Sequence, residues 1–162
     1  MNKGQISLEF MLLISIMLLY ISTIILPNVE IASSAAKEVA GVSQGRLAAE
    51  KIVDTANFIS LSGINSRQTI KIYIPQNASI DCDEVGLTSA DINFTYVLQN
   101  TEPITACNPP SNVCEKLLRT VSGQAFQCLN FPVIGPSTPR IKIEKILDTA
   151  TGTKVVINAT QN

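Results

Sequence analysis

The chain has no histidine among its 162 residues, and its twelve cations and thirteen acids leave a net charge of −1. Without histidine, the Ser-His-Asp and Cys-His arrangements of nucleophilic catalysis are excluded. A zinc site would need four thiolates, yet Cys82, Cys107, Cys114 and Cys128 contain no C-x-x-C pair. Neither a phosphate-cradling glycine loop nor a basic cluster suited to nucleic acid is present. One acidic cluster, Asp81, Asp83 and Glu84 before Gly86, has the opening of a calcium loop. Val85 and Ile92 stand where ligands belong, so the cluster reads as a solvated turn and no metal is expected. These absences predict a protein that is not an enzyme, takes no cofactor and binds no nucleic acid.

Charge is scarcest at the start. From Ile6 to Leu26 the only ionisable groups are Glu9 and the Tyr20 phenol, and thirteen of these residues are Leu, Ile or Phe. As helix the run matches a bilayer's hydrocarbon thickness. Its apolar residues contribute roughly 4–8 kcal/mol towards insertion, against about 3 kcal/mol for a central acid and less for one near the end. Insertion wins despite Glu9. Lys3 precedes the run and the next cation is Lys37, which puts the N-terminus in the cytoplasm and the bulk of the chain outside.

Three kinds of N-terminus fit such a run. A conventional secretory signal would cut after Ser34-Ala35-Ala36, but the apolar core is long for that class and Pro27, Asn28 and Glu30 separate it from the small residues. A permanent single-span anchor needs no cut. The third rests on Lys3-Gly4-Gln5-Ile6-Ser7-Leu8-Glu9-Phe10, which resembles the class III signal of archaeal type IV pilins: Q-x-S-x-E-F after a Lys-Gly leader. The resemblance implies that a prepilin peptidase cuts between Gly4 and Gln5, removing residues 1–4 and leaving the apolar helix on the mature protein. Glu9 then becomes the fifth residue, one turn from the new terminus, where the helix dipole favours a carboxylate. In that family this glutamate is thought to pair with the terminal amine of a neighbouring subunit. The plainer alternative is an interfacial, solvated Glu9.

Beyond Pro27 the helical pattern continues outside the membrane. Ala32, Ala35, Val39, Val42, Ala49, Ile52, Ala56 and Ile59 recur at threes and fours, so a helix over 5–62, on the order of 80 Å long, is predicted. Gly41 and Gly45, one turn apart, would let another helix approach closely and are candidate assembly residues; the plainer reading has this stripe covering the chain's own sheet. Pro27 should bend the helix.

From residue 63 to 162 the period changes to two. Ile70, Ile72 and Ile74, then Ile92 to Leu98, then Ile141 and Ile143, then Val155 and Ile157 alternate with polar residues, giving four strands. A fifth is expected over 127–134, with Pro132 favouring an edge. Asn112 to Gly123 reads as a short capped helix. The fold class is therefore α+β: a long N-terminal hydrophobic helix followed by an antiparallel sheet domain stapled by two disulfides. Three pairings are open to four cysteines, with Cys107–Cys114 and Cys82–Cys128 preferred. The sequons at Asn77, Asn93 and Asn158 are candidate glycosylation sites, Asn93 and Asn158 lying on the faces opposite Phe94 and Ile157.

The expected function is a structural one: a pilin that polymerises through its helix into an extracellular adhesion filament, drawn from the cytoplasmic membrane and built of copies of itself. Adhesion comes from the family resemblance alone. An archaellum-type or minor filament protein is the nearest alternative, and a membrane-anchored binding domain that never polymerises is the alternative from another class.

Overall fold

The computed structural model describes residues 3–85, 88–98, 113–120, 124–149 and 152–160. Helix α1 (Lys3–Tyr20) passes into a π-helical turn (Ile21–Ile25) and then α2 (Leu26–Leu61). Within the π turn the Leu26 N–H donates to the Ile21 carbonyl, five residues back. The disturbance expected at Pro27 thus takes the form of a widened turn just upstream, where the ladder changes register before a residue with no N–H to give. The chain divides into two compact units, Met1–Glu38 and Val39–Asn162, so the distal half of α2 belongs with the sheets.

In the second unit the helical stripe is a core face. Ala48, Ala49, Ile52, Val53, Ala56 and Ile59 are buried at spacings of one, three and four, whereas Val39 is exposed. They pack in one cluster with Ile80, Ile92, Phe94, Ile143 and Ile157 from the strands and Ile72 just beyond β1. The plainer expectation for the stripe describes this half of the helix.

Among the described residues eight strands follow where four or five were expected: β1 (Arg67–Lys71), β2 (Ala78–Val85), β3 (Ser89–Val97), β4 (Val113–Arg119), β5 (Ala125–Leu129), β6 (Val133–Ile134), β7 (Arg140–Asp148) and β8 (Gly152–Thr160). They form two four-stranded sheets, in the orders β1-β7-β8-β5 and β4-β3-β2-β6. Pairing is antiparallel except between β5 and β8, which run parallel from Ala125↔Lys154 to Leu129↔Asn158.

The structure corrects three expectations. The acidic cluster is not a turn but the middle and end of β2, since Ile80 and Cys82 point into the core and carry Asp81 and Asp83 to the opposite face. Residues 113–119 form a strand rather than a helix. The open edge of β3 offers seven pairings, from Asp91↔Arg119 to Val97↔Val113, and this long-range ladder overrides a weak local capping signal. The expected strand over 127–134 is two strands at the edges of different sheets. Asn130, with φ of 60°, turns the chain out of the first, and Pro132 sits in the gap with no N–H to contribute to either ladder.

Candidate assembly site

Among the described residues, two places carry groups that the fold does not satisfy or use, and the first is the N-terminal helix. From Leu8 to Leu26 all fifteen large apolar and tyrosine side chains are at least 41 % exposed. Each is worth about 1.5–3 kcal/mol when buried, so this segment belongs in lipid or among other helices. The polar groups that interrupt it are largely turned inward. Ser15 donates to the Met11 carbonyl at 2.9 Å, Thr23 to Leu19 at 2.7 Å and the Asn28 amide to Ile24 at 2.6 Å, which removes hydroxyl and amide donors that lipid could not accept. The helical stretch from Leu8 to Leu61 is long and apolar enough to cross a membrane, and none of its most apolar window is buried in the fold.

Glu9 is the exception on this surface. It is exposed, lies between Leu8 and Phe10, and is the only acid before Glu30. The motif positions Lys3, Gly4, Gln5 and Ser7 belong to the first two turns of α1. A family model for the class III signal peptide matches residues 2–25. The chain carries a class III signal peptide. This signal marks secreted filament subunits of the pilin and archaellin kind, and implies processing by a prepilin peptidase and insertion into the membrane. No curated protein and no solved structure matches the chain, so the head domain rests on its own geometry.

Gly41 and Gly45 lie within the second unit, against the head's own sheet. A Cβ on Gly41 would lie 2.9 Å from the Tyr96 hydroxyl oxygen, and one on Gly45 would overlap the Cε2–Cζ edge of the Phe94 ring. Their lack of side chains seats two aromatic rings of β3 on the helix. Of the two occupants the sequence left open, another helix or the chain's own sheet, the sheet fills this approach within the single chain.

Cys82 and Cys128 form a disulfide with Cα atoms 5.9 Å apart, closing a separation of 46 residues. The bond ties β2 of one sheet to β5 of the other, and the Cys128 N–H donates to Glu84 Oε1 at 3.0 Å beside it. Cys107 lies outside the described residues and the Cys114 side chain is likewise not described, so the second expected bridge falls outside them. Of the sequons, Asn77 occupies a left-handed turn with φ of 62°. Asn93 and Asn158 are half-buried on strands, and Asn158 Oδ1 accepts from the Asn130 amide at 2.8 Å.

Lys145 gave no sequence signal. It is 7 % exposed, and its Nζ donates to the carbonyls of Ser60 at 2.7 Å and Ser62 at 2.8 Å. A buried cation thereby closes the C-terminal end of α2, where free carbonyls and the negative end of the dipole await a partner. Its place on the core face of β7, between Ile143 and Leu147, reads in sequence as a break in alternation.

Proposed function

We propose that the chain is a pilin of an archaeal type IV adhesion filament. The observation that carries this reading is the class III signal peptide over residues 2–25, set directly on a helix whose apolar surface is exposed from Leu8 to Leu26. A prepilin peptidase removes Met1 to Gly4, and the helix from Gln5 leaves the membrane to pack among identical helices. That exchange of lipid for protein keeps the fifteen large side chains out of water. The head, with its two sheets and covalent tie, becomes the outer surface, and glycans on Asn77, Asn93 and Asn158 would coat it. Surface attachment, not catalysis, is its task. The complete Q-x-S-x-E-F favours a pilin over an archaellum subunit.

Mass spectrometry of the N-terminal peptide, from protein sheared off the cell surface, tests this reading. A chain beginning at Gln5 in long particles supports it. Intact Met1, with the protein held as a monomer in detergent extracts of the membrane, would identify a permanent anchor, and a start at Lys37 a conventionally secreted domain.

A further inference from the structure

The second place with unused groups is a groove of about 340 Å³ on the head, between α2 and the end of β1. One wall is apolar: Leu47 is 60 % exposed and Tyr73 50 %. Cations stand opposite it, beside Gln44, Ala48 and Ile72. Lys51 from α2 and Lys71 from β1 line the groove, and Arg140 is the direct cross-strand neighbour of Lys71. All three are exposed, and among the described residues none has an ion-pair partner. Arg46 and Lys142, by contrast, are engaged by Glu50 and Glu144. Like charges placed directly opposite on neighbouring strands are unfavourable. An anion seated over Lys71 and Arg140 would relieve that repulsion.

The head also presents the complementary surface. At the end of β2, Asp83, Glu84 and Val85 are exposed in succession. The acid opposite Asp83 is Asp91, already engaged by the Arg119 guanidinium at 2.9 and 3.1 Å. Asp83 has no such cation among the described residues. Glu84 accepts from the Cys128 N–H, so Asp83, with the exposed Val85 beside it, is the acid left to meet a groove with paired cations and a leucine-tyrosine wall.

We propose that the groove between α2 and β1 receives the acidic end of β2, Asp83 to Val85, of a second copy of the chain. The two surfaces differ, so the contact is heterologous and propagates from copy to copy instead of closing into a dimer. It rests on the polymerising reading above and adds to it a contact between heads, outside the helical core. It also gives the filament a salt-sensitive element, since exposed charges are screened within about 10 Å at 0.1 M salt.

Filaments of the full chain, sheared from the cell surface, are treated with a zero-length carbodiimide cross-linker and digested. The expected product joins Lys71 or Lys51 to Asp83 or Glu84 between copies, identified as intermolecular by mixing isotopically labelled and unlabelled chains before assembly. Charge reversal gives the second arm. Lys71→Glu and Asp83→Lys should each lower the surface filament yield by about tenfold or more, as like charges across an interface do, while the combined variant recovers it. Retention of the Cys82–Cys128 bond on non-reducing gels shows that each variant folds. Filaments with neither the cross-link nor a response to single reversal overturn the contact and leave the pilin reading standing. Single reversals that the double variant fails to rescue overturn the second copy as occupant, pointing instead to another acidic partner. A wild-type chain that forms no filament overturns both.

Discussion

At the scale of single residues, the head is held by polar groups whose roles depend on long-range partners. Lys145 is the clearest. Its ammonium bonds two carbonyls at the end of α2, and hydrogen bonds to a charged group contribute about 1.5–3 kcal/mol. Lys145→Met keeps the stem but strands both carbonyls. The expected loss is about 2–3 kcal/mol in urea unfolding of the full chain in detergent; an unchanged midpoint would mean that water replaces the ammonium. The Asp91–Arg119 pair predicts a pH effect. The Arg119 hydrogen bonds, aided by its charge, hold the Asp91 carboxyl below the usual 3.8. A carboxyl lowered on folding lends stability that is fully present above its unfolded value and disappears as pH falls through the folded one. Acid titration of stability should therefore steepen below pH 3.8, and Asp91→Asn should flatten that part of the curve.

At the scale of elements, the disulfide is the joint that no hydrogen-bond ladder supplies between β2 and β5. Closing 46 residues removes chain entropy from the unfolded state worth about 4 kcal/mol. Replacing Cys82 and Cys128 by alanine should lower unfolding stability by about that amount, with thermal denaturation under non-reducing conditions as the measurement. Elements with strict periodicity were legible in the sequence: Ile141 and Ile143 on β7, Val155 and Ile157 on β8, and the stripe from Ala49 to Ile59 all face the core. Elements defined by pairing were not. Strand β4 has adjacent leucines and a capping-like start, and becomes a strand because β3 presents an edge. Strand β2 was hidden because its outward positions are acids, which look like a turn until Ile80 and Cys82 are seen on the other face. The site divides in the same way. The signal motif and Glu9 are local and readable, whereas the groove joins Leu47 to Tyr73 across a distance that only the fold closes.

At the scale of the whole molecule, the unresolved physical demand is a helix surface with fifteen exposed large side chains and one exposed acid. Lipid answers the first part and tolerates the second, because Glu9 lies near the end of the span, where a charge reaches water at less than the roughly 3 kcal/mol of a central position. A filament core offers no such exit. If the helix packs among copies, Glu9 needs either a cation or backbone donors, and the new amine at Gln5 of a neighbour would provide the cation one turn from its own helix start. Glu9→Gln separates these demands. The uncharged variant should insert at least as well as the wild type, and trimming should still occur before Gln5, upstream of the change. A charge-assisted bond of about 1.5–3 kcal/mol would be lost at every subunit contact, so sheared filament yield should fall about tenfold or more while trimmed monomer accumulates in the membrane. N-terminal mass spectrometry of both fractions measures the two quantities together. Trimmed chains that form filaments at wild-type yield would show that Glu9 serves the membrane interface and plays no part in assembly.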